Sequence, residues 1–167
     1  QIRNDFSKAK EYYQKAIQKA QGINDTNLSY EILISQADLY LFLGDTNYSM
    51  QLAQQAINLA PDKFAAYYWM GRNHAILNDY TKSNEMLNKA LEIKPNHAPT
   101  LVALADNYIQ LKQYDLAKNM LLNLLKENDQ DPSVHQKLAD VYFQEKKYTA
   151  AEIEYTTVLK IDRSQTG

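Results

Sequence analysis

The chain has 167 residues and a formal net charge of −2, from 18 basic and 20 acidic side chains. This balance argues against nucleic acid or an anionic membrane as the main partner, because such partners need a clustered basic surplus. No apolar run approaches the length that crosses a bilayer, so we expect no direct membrane insertion. The lack of cysteine excludes disulfides, thiolate metal sites and cysteine nucleophiles, but it fits the cytoplasm and the periplasm alike.

The first 29 residues are predicted to be the second helix of a truncated repeat followed by a linker. Residues 5–20 carry apolar side chains at helical spacing, namely Phe6, Ala9, Tyr13 and Ala16. Residues 21–29, QGINDTNLS, then insert a linker before the next repeat. Because the chain begins at Gln1 rather than at methionine and the first helix of this repeat is absent, we expect an internal segment of a longer protein.

A 34-residue period runs through the rest of the chain. Pro61 and Pro95 are separated by one period. Other residues keep the same register: the small residues Ala37, Gly71, Ala105 and Ala139; the small residues Ser49, Ser83, Ala117 and Ala151; and the aromatic residues Tyr80, Tyr114 and Tyr148. The period predicts four repeats, 30–63, 64–97, 98–131 and 132–165, with the last domain continuing into the start of a following segment at 167. Positions below are counted from the first residue of each repeat.

Each repeat is predicted to form two helices. The second repeat shows an apolar stripe on each helix, Tyr67, Met70, Gly71 and His74 on the first, and Tyr80, Ser83, Leu87 and Ala90 on the second. The small residues at 71 and 83 would let the two helices approach closely, and the tyrosines would fill the space beside them.

These ladders resemble the tetratricopeptide repeat (TPR) family, whose pattern is W-x2-L-G-x2-Y, then A-x3-F, then P. The third repeat carries the pattern as Leu101, Leu104, Ala105, Tyr108, Tyr114, Ala117 and Leu121, and the fourth as His135, Leu138, Ala139, Tyr142, Tyr148, Ala151 and Tyr155. Serine replaces the second-helix alanine at 49 and 83, and Asp129 and Arg163 replace the closing proline. The resemblance implies an all-α fold, a right-handed α-solenoid of stacked antiparallel helix pairs.

The resemblance also implies that the first helix of each repeat lines a concave groove. Residues opposite the core stripe of that helix would then face a partner. The predicted partner-binding residues are Ile34, Asp38, Phe42, Tyr68, Trp69, Arg72, Ile76, Val102, Asp106, Ile109, Gln136, Asp140 and Phe143. The function implied is a protein–protein interaction scaffold that binds a peptide or a helix of a partner protein. In bacteria, similar arrays serve as assembly factors for pili, secretion systems, polysaccharide export and organelles, so an assembly or adaptor role is expected.

Two features of this groove have alternative interpretations. Trp69 either anchors a partner or folds down between neighbouring repeats and only packs. Position 9 holds Asp38, Arg72, Asp106 and Asp140. These charges either meet a basic residue and a carboxylate of a partner, or they are neutralised within the array by Arg72 bridging Asp38 and Asp106.

The sequence lacks the motifs of the common catalytic sites. It has no Gly-rich phosphate loop, G-x-S-x-G or H-E-x-x-H, and His74 and His135 occupy ladder positions that predict packing. We therefore expect no enzyme activity and no cofactor in this segment. Two alternatives remain, a substrate-recruiting domain of a larger enzyme and a self-assembling module in which the C-terminal face around Tyr155 and Val158 pairs with a neighbouring chain.

Overall fold

A computed structural model describes residues 11–13, 15–16, 18–20, 22 and 25–165. The residues described before Asp25 are helical. Eight further helices follow: α1 (Thr26–Phe42), α2 (Thr46–Leu59), α3 (Phe64–Ile76), α4 (Tyr80–Ile93), α5 (Ala98–Gln110), α6 (Tyr114–Glu127), α7 (Pro132–Gln144) and α8 (Tyr148–Gln165). No strand occurs in these parts of the chain. The predicted all-α fold of paired helices, two to each repeat, is confirmed.

Helix α1 begins before residue 30, where the 34-residue period places the start of the first full repeat. Asp25 caps α1, because its carboxylate accepts a hydrogen bond of 2.9 Å from the backbone N–H of Leu28. As a result α1 has 17 residues, whereas α3 has 13, and the last residues of the predicted linker are helical. In the predicted helix before it, Tyr13 and Ala16 are helical, whereas Phe6 and Ala9 lie outside the described residues.

In every repeat, a residue in the left-handed backbone region lies two residues after the end of the first helix. These residues share position 15, and they are Gly44 (φ 81°), Asn78 (φ 60°), Lys112 (φ 58°) and Lys146 (φ 62°). The left-handed conformation ends a helix by turning the chain back on itself, and it favours glycine and asparagine. The two lysines therefore adopt a backbone conformation that is unfavourable for residues other than glycine and asparagine. This conformation makes the turn between the paired helices short.

The described residues form two compact units, one up to Lys94 and one from Pro95 onward. In unit 1, α2 packs on both α1 and α3, and α1 also contacts α3. Its core gathers buried residues from three helices, including Leu33 and Ala37 of α1, Ala53 of α2 and Met70 of α3. Both helices of the first repeat thus contact each other and the first helix of the next repeat, as expected for stacked repeats.

Unit 2 repeats this arrangement with α5 to α8. Helix α6 packs on α5 and α7, and α7 packs on α8. The core includes Leu121 and Leu124 of α6 together with Val134 and Leu138 of α7. An ion pair also joins α6 to the C-cap of α7. The Lys118 ammonium lies 2.9 Å from the Glu145 carboxylate. The hydrogen bond from Lys118 lowers the pKa of the Glu145 carboxyl despite its burial.

The predicted close approach of α3 and α4 is present. A Cβ atom placed on Gly71 would lie only 2.7 Å from the Leu87 Cγ and 3.2 Å from the Ser83 carbonyl oxygen. The serines that replace alanine at position 20 use their hydroxyl groups in this contact. Ser83 donates to the Gly71 carbonyl at 2.8 Å, and Ser49 donates to the Ala37 carbonyl at 2.7 Å. Each serine therefore ties the second helix of its repeat to the first.

Candidate functional site

Two exposed apolar side chains of unit 1 lie at the ends of its first helices. Phe42 of α1 is 83% exposed and Ile76 of α3 is 52% exposed. Both stand at position 13, and α1 and α3 are in contact. Since these two side chains share a position on two helices in contact, this end of α1 and α3 is the candidate apolar surface of unit 1.

Tyr68 does not line this surface as the sequence predicts. It is only 8% exposed. Its ring packs edge-to-face on Trp69, with the ring centroids 4.9 Å apart, and its hydroxyl group accepts a hydrogen bond of 2.9 Å from Arg72 Nη1. Position 5 lies at the boundary between the core stripe and the opposite side of the helix, and here the large ring turns inward.

Trp69 and Ile34 are half-buried and pack against the core of unit 1. This contact matches the packing interpretation of Trp69. The Arg72 guanidinium lies 5.9 Å from the centroid of the Tyr68 ring, so Tyr68 joins the indole and the guanidinium in one cluster on α3. The cluster is held in place by the Tyr68 hydrogen bond and by stacking.

The four charged residues at position 9 have different partners. The Arg72 guanidinium binds the Tyr68 hydroxyl, and Asp106 pairs instead with Lys137 of α7. Asp140 accepts a hydrogen bond of 2.6 Å from the Tyr155 hydroxyl. Asp38 is exposed and makes no ion pair with any of the residues described. Within unit 1, the described residues therefore show no bridge from Arg72 to Asp38.

A shallow pocket of about 390 Å³ lies beside the unpaired carboxylate. Its lining residues come from α1 and from the helical residues that precede it, namely Tyr13, Ser35, Asp38, Leu39 and Phe42. The pocket therefore joins the exposed phenyl ring to the carboxylate one turn away. This pairing of an apolar wall with a negative group suits a side chain that has an apolar stem and a basic end.

Most of the predicted binding residues of unit 2 already make contacts within the unit. Val102 and Ile109 are half-buried and pack against the core of the unit. The Phe143 ring packs edge-to-face on Tyr148 at 5.6 Å, and Gln136 is exposed. Because the position-9 acids here have partners, unit 1 offers the better candidate site.

The described residues hold no group of three or more His, Asp or Glu side chains placed to bind a metal ion. None of the helices described is both long enough and apolar enough to cross a membrane. His97 stands before α5 with its Nδ1 2.7 Å from the Thr100 hydroxyl. His74 lies 3.8 Å from the Asp79 carboxylate, which belongs to the cap of α4.

His135 does more than pack in the ladder. Its Nδ1 lies 2.7 Å from a Glu154 carboxylate oxygen, and its Nε2 lies 2.9 Å from the Asp129 carbonyl oxygen. Both ring nitrogens therefore face acceptors, which suits the protonated imidazolium. Burial acts to lower the pKa of His135, but the bonds to Asp129 and Glu154 outweigh it and raise the pKa above the usual value.

We expect unit 2 to lose stability as the pH rises above neutrality. A histidine whose folded-state pKa is raised contributes its full stabilisation below the unfolded pKa of about 6.5 and loses it as the pH passes the folded value. Thermal unfolding at about pH 6 and about pH 8.5, followed by circular dichroism and by amide exchange of α7, measures this. The matched variant His135→Leu, which carries the residue found at Leu33 and Leu101, should unfold with a smaller pH dependence. Equal pH dependence in both proteins would contradict the assignment.

Two buried amides were not singled out from the sequence. Asn73 is buried and its Nδ2 donates to the Ser49 hydroxyl at 2.9 Å and to the Trp69 carbonyl at 2.8 Å. Together with the bond from Ser49 to the Ala37 carbonyl, this forms a polar chain through α3, α2 and α1. In the sequence, this polar chain is indicated only by Ser49, which stands at position 20, where the family pattern has alanine. Gln36 is also buried, at a position that is apolar in the other repeats.

Comparison with protein families gives three matches. Tetratricopeptide repeat models match residues 74–141 and 132–165, and a model of ChAPs, the Chs5p-Arf1p-binding proteins, matches residues 9–90. No curated protein matches the sequence.

Solved structures with a similar fold are more numerous. BtubC from P. vanneervenii has a TM-score of 0.87 and 19% identity, over 100% of this chain and 77% of that one. A MamA fragment from Desulfovibrio magneticus RS-1 has a TM-score of 0.74 and 17% identity, over 94% and 97%. YrrB, described as a TPR protein with an unusual peptide-binding site, has a TM-score of 0.70 and 20% identity, over 89% and 75%. At these identities the likeness shows the fold alone. The two repeat models together span residues 74–165, and the chain is a member of the tetratricopeptide repeat family.

Proposed function

We propose that this chain is a protein-interaction scaffold, and that the face formed by α1 and α3 docks a peptide or a helix of a partner protein. The observation that carries the proposal is the exposure of Phe42 and Ile76 at the same position of two helices in contact. A phenyl ring and an aliphatic side chain held on rigid helices lose little entropy on binding, so they make effective anchors. The peptide-binding site named for YrrB supports the same kind of role.

The charges on this face indicate the chemistry of the partner. The Asp38 carboxylate has no ion-pair partner among the described residues, so it is available to a lysine or arginine. The Arg72 guanidinium uses one donor on Tyr68, and its other donors remain for a carboxylate. The partner segment is therefore apolar at the Phe42–Ile76 end and carries a basic group one helical turn away, where Asp38 lies.

The adaptor or assembly role expected from the sequence requires that a partner protein docks on this face. The sequence alternatives, substrate recruitment for a larger enzyme and self-association through the ends of the array, remain open. Substrate recruitment would use the same face with a different partner, whereas self-association would place a second copy of the chain against an end helix.

Photo-crosslinking in the native organism would test the docking face directly. A benzoylphenylalanine placed at Phe42 should crosslink a partner protein. The change Phe42→Ser with Ile76→Ser should weaken binding of that partner by at least about tenfold, since the apolar anchors of an interface carry most of its binding energy. Both side chains are exposed, so the variant should fold, and circular dichroism would check this.

Ile153 provides the matched control, because it is an exposed apolar side chain on α8, in unit 2. A crosslinker at Ile153 should not capture the same partner, and Ile153→Ser should leave its affinity unchanged. Unaltered affinity of the Phe42/Ile76 variant would show that the α1–α3 face is not the docking site. Tyr68 is not a useful target for such a test, because its burial would mix loss of binding with loss of stability.

A further inference from the structure

The turns between paired helices differ between the two units. In unit 1 the turns carry Gly44-Asp45 and Asn78-Asp79, in which the first residue suits the left-handed backbone and the aspartate carboxylate caps the second helix. In unit 2 the same positions hold Lys112-Gln113 and Lys146-Lys147. Lysine is disfavoured in that backbone region, and the Gln113 side chain makes no capping hydrogen bond. Unit 2 therefore lacks two features that stabilise these turns in unit 1.

Residues that go against the local structural preference often serve a function, and here the lysines supply unpaired positive charge. Lys112 and Lys146 are exposed, and neither ammonium group has an ion-pair partner among the described residues. The acidic side chains nearby are already paired, since Asp115 and Glu145 both bind the Lys118 ammonium group. Residues 111–118 and 143–148 together carry a surplus of two positive charges, whereas the whole chain has a net charge of −2.

The two turns of unit 2 lie at the same end of the unit. Each turn follows a first helix, and these two first helices, α5 and α7, contact each other. Packed helices have axes about 8–10 Å apart, so we expect a similar distance between Lys112 and Lys146. The turns 111–113 and 145–147 together form a lysine edge.

Stacking of further repeats leaves this edge open. Gly44 and Lys112 are both exposed, although another repeat follows each of them within its unit. The acidic stretch of unit 2 does not reach the edge either. Glu127 ends α6 and Asp129 follows it, and the 14 residues of α6 span about 21 Å from the turn at which the helix begins. The lysine edge is therefore open for reasons that do not depend on where the described residues stop.

We propose that the lysine edge docks an acidic segment of a partner protein, in which two carboxylates three residues apart meet Lys112 and Lys146. In a polyproline II conformation, residues three apart lie on the same side of the segment and about 9 Å apart, which matches the expected spacing of the two lysines. The proposal does not depend on the α1–α3 face, so either surface can fail its test without the other.

Other occupants fit the lysine edge less well. Two unpaired lysines are too few for an anionic membrane, whose recognition takes about four to eight basic residues. A second copy of this chain offers the exposed acidic side chains of Glu127 and Asp129. These two residues are only two positions apart, and Glu127 belongs to a helix, so they do not match the spacing.

A labelled peptide with aspartate at every third position and proline between is the direct probe, because proline holds the polyproline II conformation. The peptide should bind the folded chain saturably, and more weakly at high salt. Lys112→Asn with Lys146→Asn should weaken binding by at least about fivefold, because two exposed ion pairs are lost. The same variant should unfold at a higher temperature, because asparagine suits the left-handed backbone better than lysine does. Weaker binding by a more stable protein excludes unfolding as its cause.

Lys126→Gln with Lys160→Gln is the matched control, because it removes the same charge from two exposed lysines outside the edge. This control should bind the peptide as the wild type does. Absence of saturable binding, equal weakening in the control, or equal binding of a peptide with its aspartates grouped together would each overturn the proposal.

Three further results would assign the lysine edge to another occupant, and each overturns a partner segment. Binding to vesicles of phosphatidylserine and phosphatidylcholine that is lost in the asparagine variant would assign the edge to a membrane. A dimer seen in sedimentation and abolished by the same variant would assign it to a second copy. Protection of Lys112 and Lys146 from chemical acetylation in the protein without peptide would assign it to a segment of the same chain.

Discussion

Replacing Gly71 by alanine is expected to lower the free energy of unfolding of unit 1, although alanine is the better helix former. Alanine in a helix interior normally gains about 1 kcal/mol over glycine. Here the added Cβ would lie 2.7 Å from Cγ and 2.8 Å from Cδ2 of Leu87. Leu87 is fully buried, so its side chain has no free space to enter. Overpacking of this kind costs about 1–3 kcal/mol, so after the gain in helix propensity the net loss should be up to about 2 kcal/mol.

Urea unfolding followed by Trp69 fluorescence reports the free energy of unfolding of unit 1. Trp69 is the only tryptophan of the chain, it packs against the core of unit 1, and it precedes Gly71 by two residues. A local probe is preferable here because stacked repeats need not unfold as a single cooperative unit.

A double-mutant cycle with Leu87→Ala separates the steric clash from helix propensity. Leu87→Ala alone should cost about 2–5 kcal/mol, because it leaves a cavity. In that background Gly71→Ala should become neutral or stabilising, because the atoms that the new methyl group meets are gone. The reverse change Ala105→Gly, at the equivalent position of unit 2, should cost the helix propensity of about 1 kcal/mol and, because a buried methyl group is lost, about 1 kcal/mol more. If Gly71→Ala stabilises the wild-type protein, the glycine does not set the spacing between α3 and α4.

The repeat architecture could be predicted from the sequence because the repeated side chains have the same task in every repeat. Small residues at position 8, such as Ala37 and Gly71, lie where paired helices approach closely, and only small side chains fit there. The helix starts were less certain, since Asp25 caps α1 before the 34-residue register begins. A period detects what is repeated, and an extra helical turn in one repeat is invisible to it.

The candidate site could be predicted only in outline. Helical spacing places Phe42 and Ile76 opposite the core stripe, and they are exposed. It cannot decide residues at the boundary of the stripe, and Tyr68 turned inward because Arg72 and Trp69 give its hydroxyl and its ring partners. Helical spacing also cannot predict which residue pairs with a given charged side chain. Lys137 reaches Asp106 from the following repeat, at a sequence separation that no local pattern reveals.

Gln36 breaks the apolar pattern, and its replacement by leucine is expected to stabilise unit 1. Position 7 holds Met70, Leu104 and Leu138 in the other repeats. Gln36 is 1% exposed, and neither its Nε2 nor its Oε1 has a hydrogen-bond partner among the described residues. Burying an amide without partners costs about 1–3 kcal/mol, and leucine has a similar volume without that cost. Gln36→Leu should therefore raise the free energy of unfolding by about 1–3 kcal/mol in the Trp69 urea experiment.

Asn73→Leu is the matched control, because it also replaces a buried amide by leucine. Its Nδ2 donates to Ser49 and to the Trp69 carbonyl, although its Oδ1 lacks a partner. This change removes two hydrogen bonds and should destabilise unit 1 by about 1 kcal/mol. Opposite signs for the two changes would show that hydrogen bonding, rather than polarity, decides the cost of a buried amide in this core. A loss of stability with Gln36→Leu would instead show that the Gln36 amide is hydrogen-bonded in solution, and that the glutamine at position 7 is part of what holds α1 in place.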